Sequence, residues 1–183
     1  LEPREELRFM FRFFAAVAIL TVSIIVGASP AAVQAASAKT NGGFKVAISH
    51  DQTNAWYQAH HAEVFKSANC RIVQDLGNSQ YMVETNTPGG LCRYVLKETR
   101  ESGKTKDGQP TTIYRVTYVR NVSGRLADFE LTISMTGLAD GKTEIGMRIM
   151  ANVAGRFVPM RAVSGVLEGS KSGCTNYILN NAR

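Results

Sequence analysis

The side chains able to carry chemistry are few in this chain and set far apart. His50, His60 and His61 are its only imidazoles. Neighbours on a helix point about 100° apart, so His60 and His61 cannot share one metal ion, and Glu63 does not complete a site. The expectation is an ordinary helix surface with one histidine packed beside Trp56, and no metal. No Ser-His-Asp order, phosphate-cradling glycine loop or nucleophile elbow can be read. Asp128 and Glu130 alternate onto the outer face of a strand, which leaves no inward carboxylate pair for acid–base work. Tyr114 and Tyr118 remain the acid–base candidates if the protein is an enzyme. Cys70, Cys92 and Cys174 are three, so at most one internal disulfide can form. Cys70 with Cys92 is the favoured pair, since both open strands at one end of a sheet; three buried thiols is the alternative. Nothing calls for a cofactor.

A second set of residues suits binding better than bond-making. Met82, Met135 and Met147, with Tyr94, Tyr114, Tyr118 and Phe129, fall on the inner side of strands. Methionine adapts to irregular space, and tyrosine adds apolar area with one polar tip. A solid core would use the same residues, so composition alone leaves pocket and core open.

These residues need elements to hold them. Phe44–Ile48 reads as a short strand, and Ser49 or Asp51 can cap a helix that runs to about Ala68 and stops at Asn69. Cys70–Leu76 and Gln80–Thr87 form a hairpin about Gly77-Asn78, and Pro88-Gly89-Gly90 turns the chain into Leu91–Glu101. Ser102–Pro110 is an exposed hairpin loop. Thr111–Arg120 alternates with Tyr114, Val116 and Tyr118 on one face. Arg125–Leu138 has the cleanest period of two, placing Ala127, Phe129, Leu131, Ile133 and Met135 inside. After Asp140-Gly141, Thr143–Val153 does the same with Ile145, Met147, Ile149, Ala151 and Val153. Val158–Arg183 is a long amphipathic helix with Met160, Val163, Leu167, Ser170, Cys174, Tyr177 and Ile178 on its buried arc. Gly165, Gly169 and Gly173 make a stripe beside that arc. Each costs a helix about 1 kcal/mol, so they mark either close packing or room for a ligand.

Ahead of this lies a leader. Residues 2–12 are charged, Phe13–Ala28 carries no charge, and small residues follow, with Val33 and Ala35 suited to cleavage after Ala35. Residues 1–35 are therefore expected to be a signal peptide, with a membrane anchor through residues 13–28 as the rival; Met10 can serve as a start that shortens it. Residues 36–43 (ASAKTNGG) are expected to be a linker, and residues 44–183 the domain. Arg4, Arg8 and Arg12 balance Glu2, Glu5 and Glu6, so the rest of the chain keeps the whole +6. An exported basic protein is drawn to anionic partners such as membrane surfaces. The charges are scattered and lack interleaved aromatics, which argues against nucleic acid. The localisation expected is periplasmic or secreted.

The order strand, Trp-bearing helix (SHDQTNAWYQAHHAEVF), six antiparallel strands and long terminal helix resembles the START-like, SRPBCC or Bet v 1-like, helix-grip superfamily over about Phe44–Arg183. The resemblance implies an α+β fold in which a curved antiparallel sheet of about seven strands wraps the terminal helix. It also implies a cavity for lipids or similar apolar molecules between sheet and helix, and tips the inner face toward a pocket. The lining would be Tyr94, Tyr114, Tyr118, Phe129, Met135, Met147, Leu167 and Gly169. Gly90, Arg156 and Phe157 would stand at its mouth, where Arg156 can meet an acidic head group. Lipocalins also bind apolar molecules, but Gly42-Gly43-Phe44 does not supply their G-x-W motif. The function expected is an exported carrier of a hydrophobic small molecule. The alternatives are an exported cyclase or hydrolase of this fold and a pocketless envelope interaction module.

Overall fold

Ser49 accepts a hydrogen bond from the backbone of Gln52, and Gln52 Oε1 accepts one from the Ser49 backbone at 3.1 Å, a reciprocal cap that starts helix α1 (His50–Ser67). The computed structural model describes residues 36–87, 90–153 and 159–182. Before α1 comes β1 (Ala36–Val46). After it come β2 (Cys70–Gly77), β3 (Gln80–Thr87), β4 (Gly90–Lys104), β5 (Pro110–Ser123), β6 (Leu126–Gly137), β7 (Thr143–Val153) and helix α2 (Met160–Asn181). The strands form one antiparallel sheet in the order β1-β7-β6-β5-β4-β3-β2. Register shifts within the β2–β3, β4–β5 and β6–β7 pairs are bulges, which increase twist and curl the sheet.

One face of the sheet is dry. Leu131, Ile133 and Met135 of β6 and Ile145, Met147 and Ile149 of β7 are nearly fully buried there. Helix α1 crosses β2, β5 and β6, and α2 lies along β1 and β7. The helices meet at a glycine. A Cβ on Gly173 would sit 2.0 Å from the carbonyl oxygen of Ser67, and Cys174 Sγ lies 3.5 Å from the Val64 carbonyl. Burial pushes the Cys174 thiol up to about 12, so it stays protonated.

Four expectations need correction. Residues 36–43 are not a linker: β1 pairs with β7 from Ala36↔Val153 to Val46↔Thr143. The small, polar composition concealed this because a ladder is made by backbone groups, and the edge of β7 needed a partner. Ala38 and Thr40 are buried beneath α2, where Thr40 Oγ1 donates to Glu168 Oε1. Ala127 is exposed, because the bulge at the start of β6 puts Leu126 inside instead. The loop over Ser102–Pro110 shrinks to residues 105–109, since β4 and β5 extend into it. Cys70 and Cys92 cannot bond: both pair with Thr85, from opposite sides. Two strand spacings are roughly 10 Å, beyond the roughly 7 Å Cα limit of a disulfide. All three cysteines are buried free thiols.

Candidate ligand-binding site

Where α2 passes over the end of the sheet that carries Leu126 and Val153, the packing is incomplete. Phe65 of α1, Ala68 at its C-cap, and Val163, Val166, Leu167 and Ser170 of α2 close the space from one side. The sheet supplies Leu126, Phe129 and Leu131 from β6 and Ile149, Ala151 and Val153 from β7. Cys70, Thr85, Thr87 and Tyr94 complete the wall. Ala151 stands opposite Phe129, and with Ala68 it leaves room that larger residues would fill. The free volume is about 50 Å³.

The cavity is almost wholly apolar, and the polar groups of Tyr94, Cys70 and Thr85 are partnered. The Tyr94 hydroxyl lies 3.3 Å from Cys70 Sγ, and Thr85 Oγ1 donates to the Asn69 carbonyl at 2.6 Å. Burial raises the Tyr94 phenol well above its ordinary value and raises the Cys70 thiol too, so both are neutral. The walls can hold an apolar molecule by exclusion of water, with Tyr94, Thr85 and Ser170 as the polar atoms available to orient it.

Of the residues expected here, Tyr94, Phe129 and Leu167 line the cavity. Met135 and Met147 are on the same face but toward the opposite end, buried in solid core. Tyr114 packs on Tyr57 with ring centroids 4.4 Å apart and planes tilted by 47°, donates to Asn54 Oδ1 and accepts from Gln58 Nε2 at 3.1 Å. Tyr118 is partly buried against the core, away from the cavity. Gly169 is corrected outright: it is exposed, and an added Cβ would meet nothing within 4 Å. Gly90 has φ +104 and is exposed; its carbonyl accepts from Thr87 Oγ1 at 2.8 Å, next to the cavity wall. Arg156 and Phe157 lie outside the described residues. Ala68, Thr85, Thr87 and Val166 were missed. The one signal for the space was Ala151, a small residue on an inner face of large ones.

A second buried cluster lies under α1. The Tyr57 hydroxyl donates to Glu98 Oε1 at 3.1 Å. Burial pushes the Glu98 carboxyl up, against the lowering effects of the Tyr57 hydrogen bond and the His61 charge. A carboxyl that titrates higher when folded stabilises the fold below the ordinary glutamate range, and that contribution is lost as pH rises through the raised value. Glu98→Gln keeps an acceptor for Tyr57. It is expected to gain stability relative to wild type as pH rises above the ordinary glutamate range, measured by denaturant titration; a pH-independent difference would contradict the assignment. His60 stacks on Trp56 at 4.9 Å and 15°. Among the described residues no group of His, Cys, Asp and Glu is placed to hold a metal.

No protein-family model and no curated protein sequence matches the chain. Solved structures do. A START superfamily protein from Mycobacterium smegmatis aligns with a TM-score of 0.54 at 11% identity, over 79% of this chain and 96% of that one. The Zhui aromatase/cyclase from Streptomyces aligns at 0.54 and 11% identity, over 80% and 93%. A fragment of the STAR-related lipid transfer protein from Xanthomonas axonopodis aligns at 0.52 and 15%, over 76% and 85%. With the element order, the curled seven-stranded sheet and the terminal helix across it, these likenesses show that the chain has the START-like helix-grip fold.

Proposed function

We propose that the protein is an exported binding protein that holds a lipid-like hydrophobic small molecule between the sheet and α2, with its basic surface in peripheral contact with anionic membrane. The observation that carries this reading is the apolar cavity walled by both helices and the sheet. The name of one compared structure, a lipid transfer protein, agrees with it by analogy of fold, while that of another, an aromatase/cyclase, agrees with the enzyme alternative. Export is supported by the leader pattern of residues 1–35.

A free volume of about 50 Å³ is far below the roughly 300–1,000 Å³ of sites for drug-sized ligands, so loading requires α2 to lift. Its first half is suited to that. Pro159 at its N-cap offers no side-chain hydrogen bond, and no acidic residue stands in the first turn. A Cβ added at Gly165 or Gly169 would meet nothing within 4 Å, and each glycine weakens the helix by about 1 kcal/mol. The second half is held at Gly173 and Cys174 against α1. An enzyme is the less favoured reading, because Tyr114 and Tyr118 do not line the cavity and Tyr94 is held protonated. The test is native mass spectrometry with organic extraction of protein from an exported preparation. A bound apolar molecule is expected. A mass equal to the polypeptide alone, with no fluorescence gain from N-phenylnaphthylamine, would reduce the cavity to a packing defect.

A further inference from the structure

Beside the cavity, at the corner where α1 gives way to β2, a second space opens that is polar and about 370 Å³ in volume. Successive side chains divide between the two: Ala68 and Cys70 line the cavity, Asn69 and Arg71 line the groove, and Thr85 borders both. On the outer side of the sheet the register sets Arg71 opposite Glu84 and Glu84 opposite Arg93. Arg71 Nη2 donates to Glu84 Oε2 and Arg93 Nε to Glu84 Oε1, each at 2.5 Å. The Glu84 side chain is only 7% exposed, while Arg71 is 68% and Arg93 51% exposed. One carboxylate between two guanidinium groups leaves a positive charge over, and Lys66 on the groove wall adds another. Arg71, which lines the groove, is fixed through one nitrogen and keeps further N–H donors for an anion.

We propose that this groove takes the anionic head group, a phosphate or carboxylate, of an amphiphile whose apolar tail fills the cavity; the inference rests on the cavity reading above. Glu84 competes with the ligand for Arg71 and so sets the net charge beside the groove, and the hydrogen bonds from Arg71 and then Arg93 keep its own carboxyl below the usual range. Leu91, 51% exposed on the groove wall, offers apolar surface where head would pass into tail. One residue, Thr85, stands between groove and cavity. Its side chain is tied to the Asn69 carbonyl, with Asn69 Nδ2 bonded in turn to the Asn86 carbonyl at 3.0 Å.

The test is isothermal titration of the full chain with dodecyl phosphate, dodecanol and inorganic phosphate at fixed ionic strength. Dodecyl phosphate is expected to bind at least about tenfold tighter than dodecanol. Lys66→Gln and Arg71→Gln should each weaken dodecyl phosphate by about tenfold and leave dodecanol unchanged. Glu84→Gln should strengthen dodecyl phosphate, a sign that mere loss of structure would not give. Equal binding of the two alkyl probes, or variants that shift both alike, would overturn the head-group assignment and leave the cavity reading standing. Inorganic phosphate binding as tightly as dodecyl phosphate would give the groove to a free anion and overturn the amphiphile. A folded protein that binds neither alkyl probe would remove the cavity reading and the inference with it.

Discussion

Gly173→Ala is expected to destabilise the protein by about 3 kcal/mol, a fall in Tm on the order of 10 °C. The new methyl would lie 2.0 Å from the Ser67 carbonyl oxygen and 3.1 Å from its carbon. Those are backbone atoms in the last turn of α1, and no rotamer change can move them. Relief requires the helices to part, which pulls Cys174 and Ile178, both at most 1% exposed, out of their packing. The same substitution one and two turns earlier should act in the opposite direction. Gly165→Ala and Gly169→Ala meet nothing within 4 Å, and each should raise stability by up to about 1 kcal/mol through helix propensity alone. Thermal denaturation of the three variants checks this; a neutral Gly173→Ala would mean that the helices are not packed through that glycine.

Ala151→Leu is expected to abolish uptake of an apolar molecule while changing stability by no more than about 1 kcal/mol. Its side chain lines the cavity opposite Phe129 and is 5% exposed, so the added carbons enter space that is already free. A change in a solid core of this size would cost stability and leave binding elsewhere intact. N-phenylnaphthylamine fluorescence, read beside denaturant melts, separates the two. Uptake at the wild-type level by a folded variant would place the binding surface away from this cavity.

The contrast among these positions explains how far the sequence could be read. Period two over β6 and β7 was legible because one face of the sheet is wet, so residues such as Thr132 and Ser134 differ in kind from Leu131 and Ile133. The same pattern tells which face a residue occupies and nothing of its depth along the strand. Phe129 and Met135 share a face, yet one lines the cavity and the other lies in filled core. A helical wheel has the matching limitation. It put Gly165, Gly169 and Gly173 in one stripe, but whether anything stands opposite depends on where α1 ends, and only Gly173 comes against it. Strand β1 was half missed because ASAKTNGG has no apolar alternation. Its place is set by the β7 backbone and by the Thr40–Glu168 contact with α2, which are distant in sequence. The groove at Arg71 and Glu84, with Arg93 on the far side of Glu84, could not be read, since it follows from the register of three strands.

The pairing of β1 with β7 also bears on how the chain reaches its fold. The first strand made must wait for the last, because Ala36 finds its partner at Val153 and Val46 at Thr143. The β2–β7 meander can assemble through local hairpins, but closing it with β1 spans about one hundred residues, a contact of high order that slows the final step. Until then the edge of β7 is an open template for another chain. The interval before β1 docks is therefore when the protein is most exposed to misassembly, and a chain shortened at its N-terminus past Val46 would remain in that interval permanently.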